Sequence, residues 1–130
     1  MPVQGTPDQF IEVLRETIVS LVRRDGPDLT ARQLGVFLTV YLGEGPHTVR
    51  GLASALNVSK PAITRALDRL GVFDFARRKT DPKDRRSVLV QPTIKGSALL
   101  REISATMAEA AVASSETRMT PPARQQASSS

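Results

Sequence analysis

The segment VRGLASALNVSKPAITRALDRL, residues 49–70, carries the clearest structural pattern of this chain. Apolar residues recur within it every three or four positions, which predicts two short helices, from about Thr48 to Leu56 and from about Lys60 to Leu70. Between them lie Asn57, which tolerates the left-handed backbone of a tight turn, and Ser59, which can cap the second helix. Two short helices joined in this way predict a helix-turn-helix.

The second of these helices has a predicted polar face. When Ile63 is placed inward on a helical wheel, six residues are expected to point outward: Pro61, Ala62, Thr64, Arg65, Asp68 and Arg69. Arginine can read guanine through two hydrogen bonds, threonine and serine can bond bases or phosphates, and a helix N-terminus favours a phosphate. The face therefore suits the major groove of DNA, although an ordinary helical hairpin with a solvated charged face would show the same pattern. The candidate DNA contacts of this segment are Thr48, Ser59, Lys60, Pro61, Thr64, Arg65 and Arg69.

A basic hairpin is predicted next. Residues 75–80 and 86–91 are rich in Val, Leu, Phe and Arg, and they flank Asp81-Pro82-Lys83-Asp84, where proline at the second position favours a type I turn. Six of the ten residues from 77 to 86 are cationic, against two carboxylates. A hairpin beside a helix-turn-helix can reach the minor groove, where arginine is favoured. Basic residues also protect edge strands from aggregation, but that role needs fewer charges. The candidate DNA contacts of the hairpin are Arg77, Arg78, Lys79, Lys83, Asp84, Arg85 and Arg86.

Further helices are predicted on both sides of this centre, over residues 8–24, from Thr30 to Gly43 and from Thr93 onward. The first and last apolar stripes exceed what one small core can cover, so we expect them to pair between two copies of the chain. The expected dimer contacts are Phe10, Leu14, Leu21, Leu99, Leu100, Ile103 and Met107.

The predicted fold class is mainly α with a small β wing, a winged helix-turn-helix with flanking dimerisation helices. Its expected parts are a flexible N-terminal arm at 1–6, a dimerisation helix at 7–28, a DNA-binding domain at 29–92, a second dimerisation helix at 93–116 and a disordered tail at 117–130.

Composition narrows the classes of function. The formal net charge of +5 suits a polyanionic partner such as double-stranded DNA, although solubility alone could explain it. The chain has no cysteine, and its single histidine, His47, follows a Gly-Pro turn with no Gly-rich loop or carboxylate pair nearby. We therefore expect no enzyme activity, no metal site and no cofactor.

Residues 1–8 lack a secretory signal, and no apolar run could span a membrane. The expected location is therefore the cytoplasm, with the protein held at the nucleoid through DNA.

The sequence resembles the MarR family of winged helix-turn-helix regulators over residues 29–103. The resemblance is carried by LTARQL at 29–34, by residues 49–70, by DPKDRR at 81–86 and by TIKG at 93–96. It implies a sequence-specific transcriptional regulator, a repressor or co-regulator, that binds palindromic DNA as a homodimer. It further implies that Asp84 braces the wing, that Arg86 enters the minor groove and that helix 60–70 enters the major groove.

The resemblance also raises the question of a small aromatic ligand, because many family members bind one between the DNA-binding lobe and the dimer helices. Phe10, Phe37 and Tyr41 could line such a pocket here, but each falls on an apolar helical stripe, which favours a place in the core. One different function stays open, a winged-helix protein-interaction module whose basic hairpin docks an acidic partner. Such a module would not depend on Arg65 and Arg69.

Overall fold

The computed structural model describes residues 5–119 of the 130-residue chain. It contains five helices and three strands: α1 (Pro7–Arg23), α2 (Ala31–Leu42), β1 (His47–Thr48), α3 (Val49–Leu56), α4 (Lys60–Val72), β2 (Ala76–Asp81), β3 (Asp84–Pro92) and α5 (Ile94–Met119). The chain divides into two compact units, one formed by Gly26–Arg101 and the other by residues up to Asp25 with those from Glu102. The predicted fold class, mainly α with a small β wing, is confirmed.

The unit Gly26–Arg101 is built around the helix-turn-helix. Its core is formed by the apolar faces of α2, α3 and α4, and the largest fully buried side chains are Val36, Phe37, Leu52, Ile63, Leu67 and Leu70. The strands form one antiparallel sheet in the order β1-β3-β2. Burial of these aliphatic and aromatic side chains fixes α4 against the other two helices and leaves its opposite face in solvent.

The turn and the caps of this unit follow the sequence. Asn57 adopts the left-handed conformation, with φ 55° and ψ 47°. Asp74, between α4 and β2, also has a positive φ of 58°, which an Asp tolerates better than most residues. The hydroxyl of Thr30 accepts the amide of Gln33 at 3.1 Å, and the Gln33 side chain accepts the amide of Thr30, so that the two residues form a capping box.

A hydrogen-bond network around Tyr41 joins α2 to the residue before β2 and to the residue after β3. The Tyr41 hydroxyl donates to the carbonyl of Phe75 at 2.7 Å and accepts the amide of Thr93 at 2.9 Å. The Thr93 hydroxyl donates to the carbonyl of Asp74 at 2.6 Å and accepts the amide of Gly96 at 2.9 Å, which caps α5. A side chain at Gly96 would overlap the Tyr41 hydroxyl, so the close approach requires glycine there.

The second unit pairs α1 with most of α5. Thr17, Ile103, Ala110 and Ser114 are buried in it, and Arg24 Nε lies 3.5 Å from Glu102 Oε2. Several large apolar side chains of this unit stay exposed, among them Phe10, Ile11, Leu14, Ile18, Val22, Met107 and Val112. Clustered large apolar side chains that stay in solvent are typical of a face that another molecule covers.

The structure differs from the expected elements at the following points. Strand β1 was not predicted, because two residues are too few to show an alternating pattern. Thr6 does not belong to a loose arm, since its hydroxyl accepts the amide of Gln9 at 3.2 Å in a capping box that starts α1. Helix α4 continues two residues past Leu70, to Val72. Helix α5 runs to Met119, so residues 117–119 are helical and not part of a disordered tail. The expectations for residues 1–4 and 120–130 lie outside the described residues.

Candidate nucleic-acid interface

Helix α4 presents the polar face that the sequence predicted, with one exception. The Ser59 hydroxyl accepts the amide of Ala62 at 3.2 Å and thereby caps the helix. Ala62 is itself buried, so its predicted outward position was wrong. Ala62 lies next to Ile63 and widens the buried stripe that Ile63, Ala66 and Leu67 form. The exposed positions of the helix are Lys60, Pro61, Thr64, Arg65, Asp68, Arg69, Gly71 and Val72.

The wing is the antiparallel pair of β2 and β3. Arg78 pairs with Val90 and Thr80 with Val88, and the register shifts at Asp81. At the tip, Asp81 Oδ1 accepts the amide of Lys83 at 2.9 Å, which stabilises the turn. The predicted cations of the wing are all exposed: Arg77, Arg78, Lys79, Lys83, Arg85 and Arg86. Their clustering concentrates positive charge on one hairpin.

Asp84 lies between the tip and Arg86. Its Oδ1 accepts the Arg86 amide at 3.1 Å and lies 3.6 Å from Arg86 Nε. The Arg86 side chain is 93% exposed. The carboxylate therefore restrains the backbone that carries Arg86 and leaves most of the guanidinium in solvent.

A cleft of about 500 Å³ lies where the helix-turn-helix meets the wing. Helix α3 and the residue before it contribute Thr48, Val49 and Arg50, helix α4 contributes Lys60 and Thr64, and the wing contributes Arg78, Asp84, Arg86, Ser87 and Val88. Eight of these ten residues are polar or charged, and four of the eight are cationic. A cleft of this charge suits a phosphate backbone.

Sequence reasoning missed two residues of this region, Arg50 and Asp68. Arg50 lines the cleft from the first turn of α3, but a single arginine in a short helix carries no pattern that separates it from a solvated surface residue. Asp68 was placed on the outer face of α4 without a role. In the structure, its Oδ1 accepts a hydrogen bond from Arg78 Nη2 at 2.6 Å.

Two other predicted contacts are also held within the protein. The Arg69 guanidinium carbon lies 4.7 Å above the centre of the Phe73 ring. The hydroxyl of Thr48 accepts the amide of Gly51 at 2.9 Å and so caps α3. Of these two residues, Thr48 also lines the cleft.

The predicted dimer contacts fall into two groups. Phe10, Leu14 and Met107 are 44%, 50% and 42% exposed, and with Val13 and Ala111 they line a groove of about 360 Å³. Leu99 and Ile103 are instead buried within the protomer, and Leu21 and Leu100 are half-buried. The first group alone offers a free apolar surface.

Of the three aromatic residues considered for a ligand pocket, Phe37 belongs to the core and Tyr41 is half-buried beside it. Phe37 is fully buried, and Tyr41 packs on it with ring centres 4.5 Å apart. Phe10 is exposed, so its expected place in the core was wrong for the single chain. Its helical stripe faces a surface that one copy of the chain leaves open.

His47 takes part in local structure. Its Nε2 lies 3.2 Å from the carbonyl oxygen of Gly43, at the end of α2. Within residues 5–119, no group of three His, Cys, Asp or Glu side chains is arranged to hold a metal ion. None of the helices described is long and apolar enough to cross a membrane.

Comparison with known proteins agrees with this fold. Residues 29–88 match the model of the MarR family. The chain is 30% identical to the HTH-type transcriptional repressor NicR of Pseudomonas putida over 108 residues, which cover 76% of this chain and 68% of NicR. It is 36% identical over 75 residues to the multiple antibiotic resistance protein MarR of Salmonella typhimurium, and those residues cover 58% of this chain and 51% of that protein. The chain thus spans about half the length of this second relative.

Solved structures give the same result. A MarR mutant from E. coli complexed with operator DNA is 28% identical, with a TM-score of 0.61, and the match covers 80% of this chain and 70% of that one. The YusO protein from Bacillus subtilis, at 24% identity and a TM-score of 0.67, covers 95% of this chain and 92% of its own, and shares the fold. On the family match and the extent of the likeness to NicR, the chain belongs to the MarR family of transcriptional regulators.

Proposed function

We propose that this protein is a transcriptional regulator, a repressor or co-regulator, that binds double-stranded DNA in a sequence-specific manner. The observation that carries the proposal is the cleft, in which Lys60 and Thr64 of α4 meet Arg78 and Arg86 of the wing. The second helix of a helix-turn-helix and a basic hairpin can contact two neighbouring grooves of one duplex when they share one cationic cleft. The DNA-bound MarR from E. coli has the same fold, which supports this arrangement.

Each surface has a distinct role in this proposal. Arg65 and Thr64, exposed on α4, read base edges in the major groove, where each base pair has its own donor and acceptor pattern. Lys79, Lys83 and Arg85 contact phosphates, which position the protein without reading sequence. Arg86 enters the minor groove, and Asp84 braces the backbone that carries it.

The regulator acts as a homodimer. The exposed Phe10, Leu14 and Met107 form an apolar surface beside a groove of about 360 Å³, and a second copy would remove it from water. A two-fold dimer presents two copies of α4, so its site is an imperfect palindrome with half-site centres roughly 10 base pairs apart. We further propose that the protein works in the cytoplasm and has no catalytic role.

Mapping of the bound sites across the genome, followed by footprinting of one site, tests the proposal. A recurrent motif with two related halves is the expected result. Binding to duplexes without any shared motif would contradict sequence-specific recognition. Retention of an acidic protein by the wild type and equally by the Arg65→Ala variant, with no DNA motif, would favour the protein-interaction module instead.

A further inference from the structure

Asp68 places a negative charge on the face of α4 that we propose meets DNA. Its side chain is 59% exposed, and it lies one turn from Thr64 and Arg65. A carboxylate at this position repels the phosphates of a bound duplex. Asp68 should therefore have a favourable role that offsets this repulsion.

Folding stability does not supply that role. The bond from Arg78 Nη2 to Asp68 Oδ1 is short, at 2.6 Å, but both side chains reach solvent, at 37% and 59% exposure. Water screens the charges of such a pair, so exposed ion pairs contribute little to folding. The contact has to be explained by what it does to Arg78.

The ion pair orders Arg78 within the cleft. Arg78 is 37% exposed, whereas Arg77 and Arg86 on the same hairpin are 68% and 93% exposed. Asp68 engages one of its terminal nitrogens, and within the part of the chain that the structure describes its other guanidinium donors have no partner. A long arginine side chain loses much rotamer freedom when it binds, and an arginine ordered beforehand loses less.

We infer that Asp68 is a positioning residue for DNA recognition: it holds the Arg78 guanidinium in the cleft beside Lys60 and Thr64, so that Arg78 contacts a specific duplex in one fixed geometry. This inference rests on the proposed DNA-binding function. It predicts that removal of the negative charge weakens specific binding, which is opposite to the effect of removing a repulsive charge.

Asp68→Asn and a matched control, Asp74→Asn, test the inference. Asp74 is also a carboxylate of this unit, its side chain is 58% exposed, and its Oδ1 is 4.0 Å from the nearest guanidinium nitrogen, of Arg77. Asparagine also tolerates the positive φ of position 74. Affinities are measured for a duplex that the wild type selects from a random library and for a shuffled duplex of equal composition, with the active fraction of each variant fixed by stoichiometric titration.

The expected result for Asp68→Asn is a loss of about tenfold on the selected duplex, with equal or slightly tighter binding of the shuffled one. Asp74→Asn is expected to keep the wild-type ratio of the two affinities. In an Arg78→Gln background, Asp68→Asn is expected to cause no further loss on the selected duplex, because the arginine that it positions is gone. A loss caused by a general change in α4 would persist in that background.

Two outcomes are distinguishable. If the wild type does not discriminate between the duplexes, the proposed function fails and the inference fails with it. If the wild type discriminates and Asp68→Asn behaves like Asp74→Asn, or retains its full effect without Arg78, the proposed function stands and the positioning role is overturned.

Discussion

Asp84 contacts Arg86 at two points: its Oδ1 accepts the Arg86 backbone amide at 3.1 Å and lies 3.6 Å from the Nε of the same residue. The first contact restrains the backbone after the wing tip, and the second biases the direction in which the guanidinium leaves it. A carboxylate near the DNA surface also repels phosphates. The restraint of Arg86 favours DNA binding, whereas the repulsion of phosphates opposes it.

Asp84→Ala is expected to weaken binding to the selected duplex, as Arg86→Ala does, because the loss of the brace leaves Arg86 without a fixed approach to the minor groove. Titration of the selected and the shuffled duplex across a salt series measures the effect. Tighter binding of both duplexes by Asp84→Ala would reject the brace and leave Asp84 as a turn residue.

Arg65→Ala and Lys83→Ala are expected to change DNA binding in different ways. Arg65 is exposed on α4, so its loss should remove discrimination at one base pair, by on the order of 1–3 kcal/mol. Lys83 lies at the wing tip, and its loss should weaken all duplexes about equally and lower the salt slope by about one unit. Binding of single-base variants of the site separates the two. A uniform loss from Arg65→Ala would count against base reading by α4.

Leu14→Asp is expected to give a folded monomer, because Leu14 is 50% exposed and its replacement disturbs only the surface that we assign to the second copy. Leu99→Asp is the contrasting variant, since Leu99 is 4% exposed and a buried charge there should unfold the protomer. Sedimentation at micromolar concentration, with circular dichroism, distinguishes these results. A wild-type protein that sediments as a monomer would rule out the dimer in this form.

Tyr41→Phe is expected to lower the free energy of unfolding by about 1–3 kcal/mol, because the Phe75 carbonyl and the Thr93 amide each lose a partner in a part-buried site. Urea denaturation measures the change, and an unaltered m-value shows that the denatured state is comparable. A change below about 0.3 kcal/mol would mean that water replaces the hydroxyl without loss.

Elements with long or well-marked patterns could be predicted from the sequence. The turn of the helix-turn-helix was marked by Asn57, whose left-handed backbone the structure confirms, and the caps at Thr30, Ser59 and Thr93 are also confirmed. Strand β1 left no such mark, because it exists only through its pairing with Val90 and Leu89 of β3. Its formation depends on tertiary structure.

The candidate site was predicted less completely, because the sequence gives residue types and not their partners. The basic character of the wing was evident, but the contact of Arg78 with Asp68 joins residues ten positions apart across two elements. The helical wheel also puts Ala62 in solvent, whereas a small residue next to Ile63 can extend a buried face, as Ala62 does. Charges can be counted from a sequence, whereas their pairing depends on the packing of the helix against the hairpin.

Sequence-specific recognition by α4 and the wing can be tested by selection of duplexes from a random library with the wild-type protein, followed by footprinting of the selected duplex. We expect one enriched motif, an imperfect palindrome whose half-site centres lie roughly 10 base pairs apart, protected in both grooves. Arg65→Ala should enrich a motif that is degenerate at one position of each half. If the selection enriches no motif and the protein binds all duplexes equally, sequence-specific recognition by α4 and the wing is contradicted.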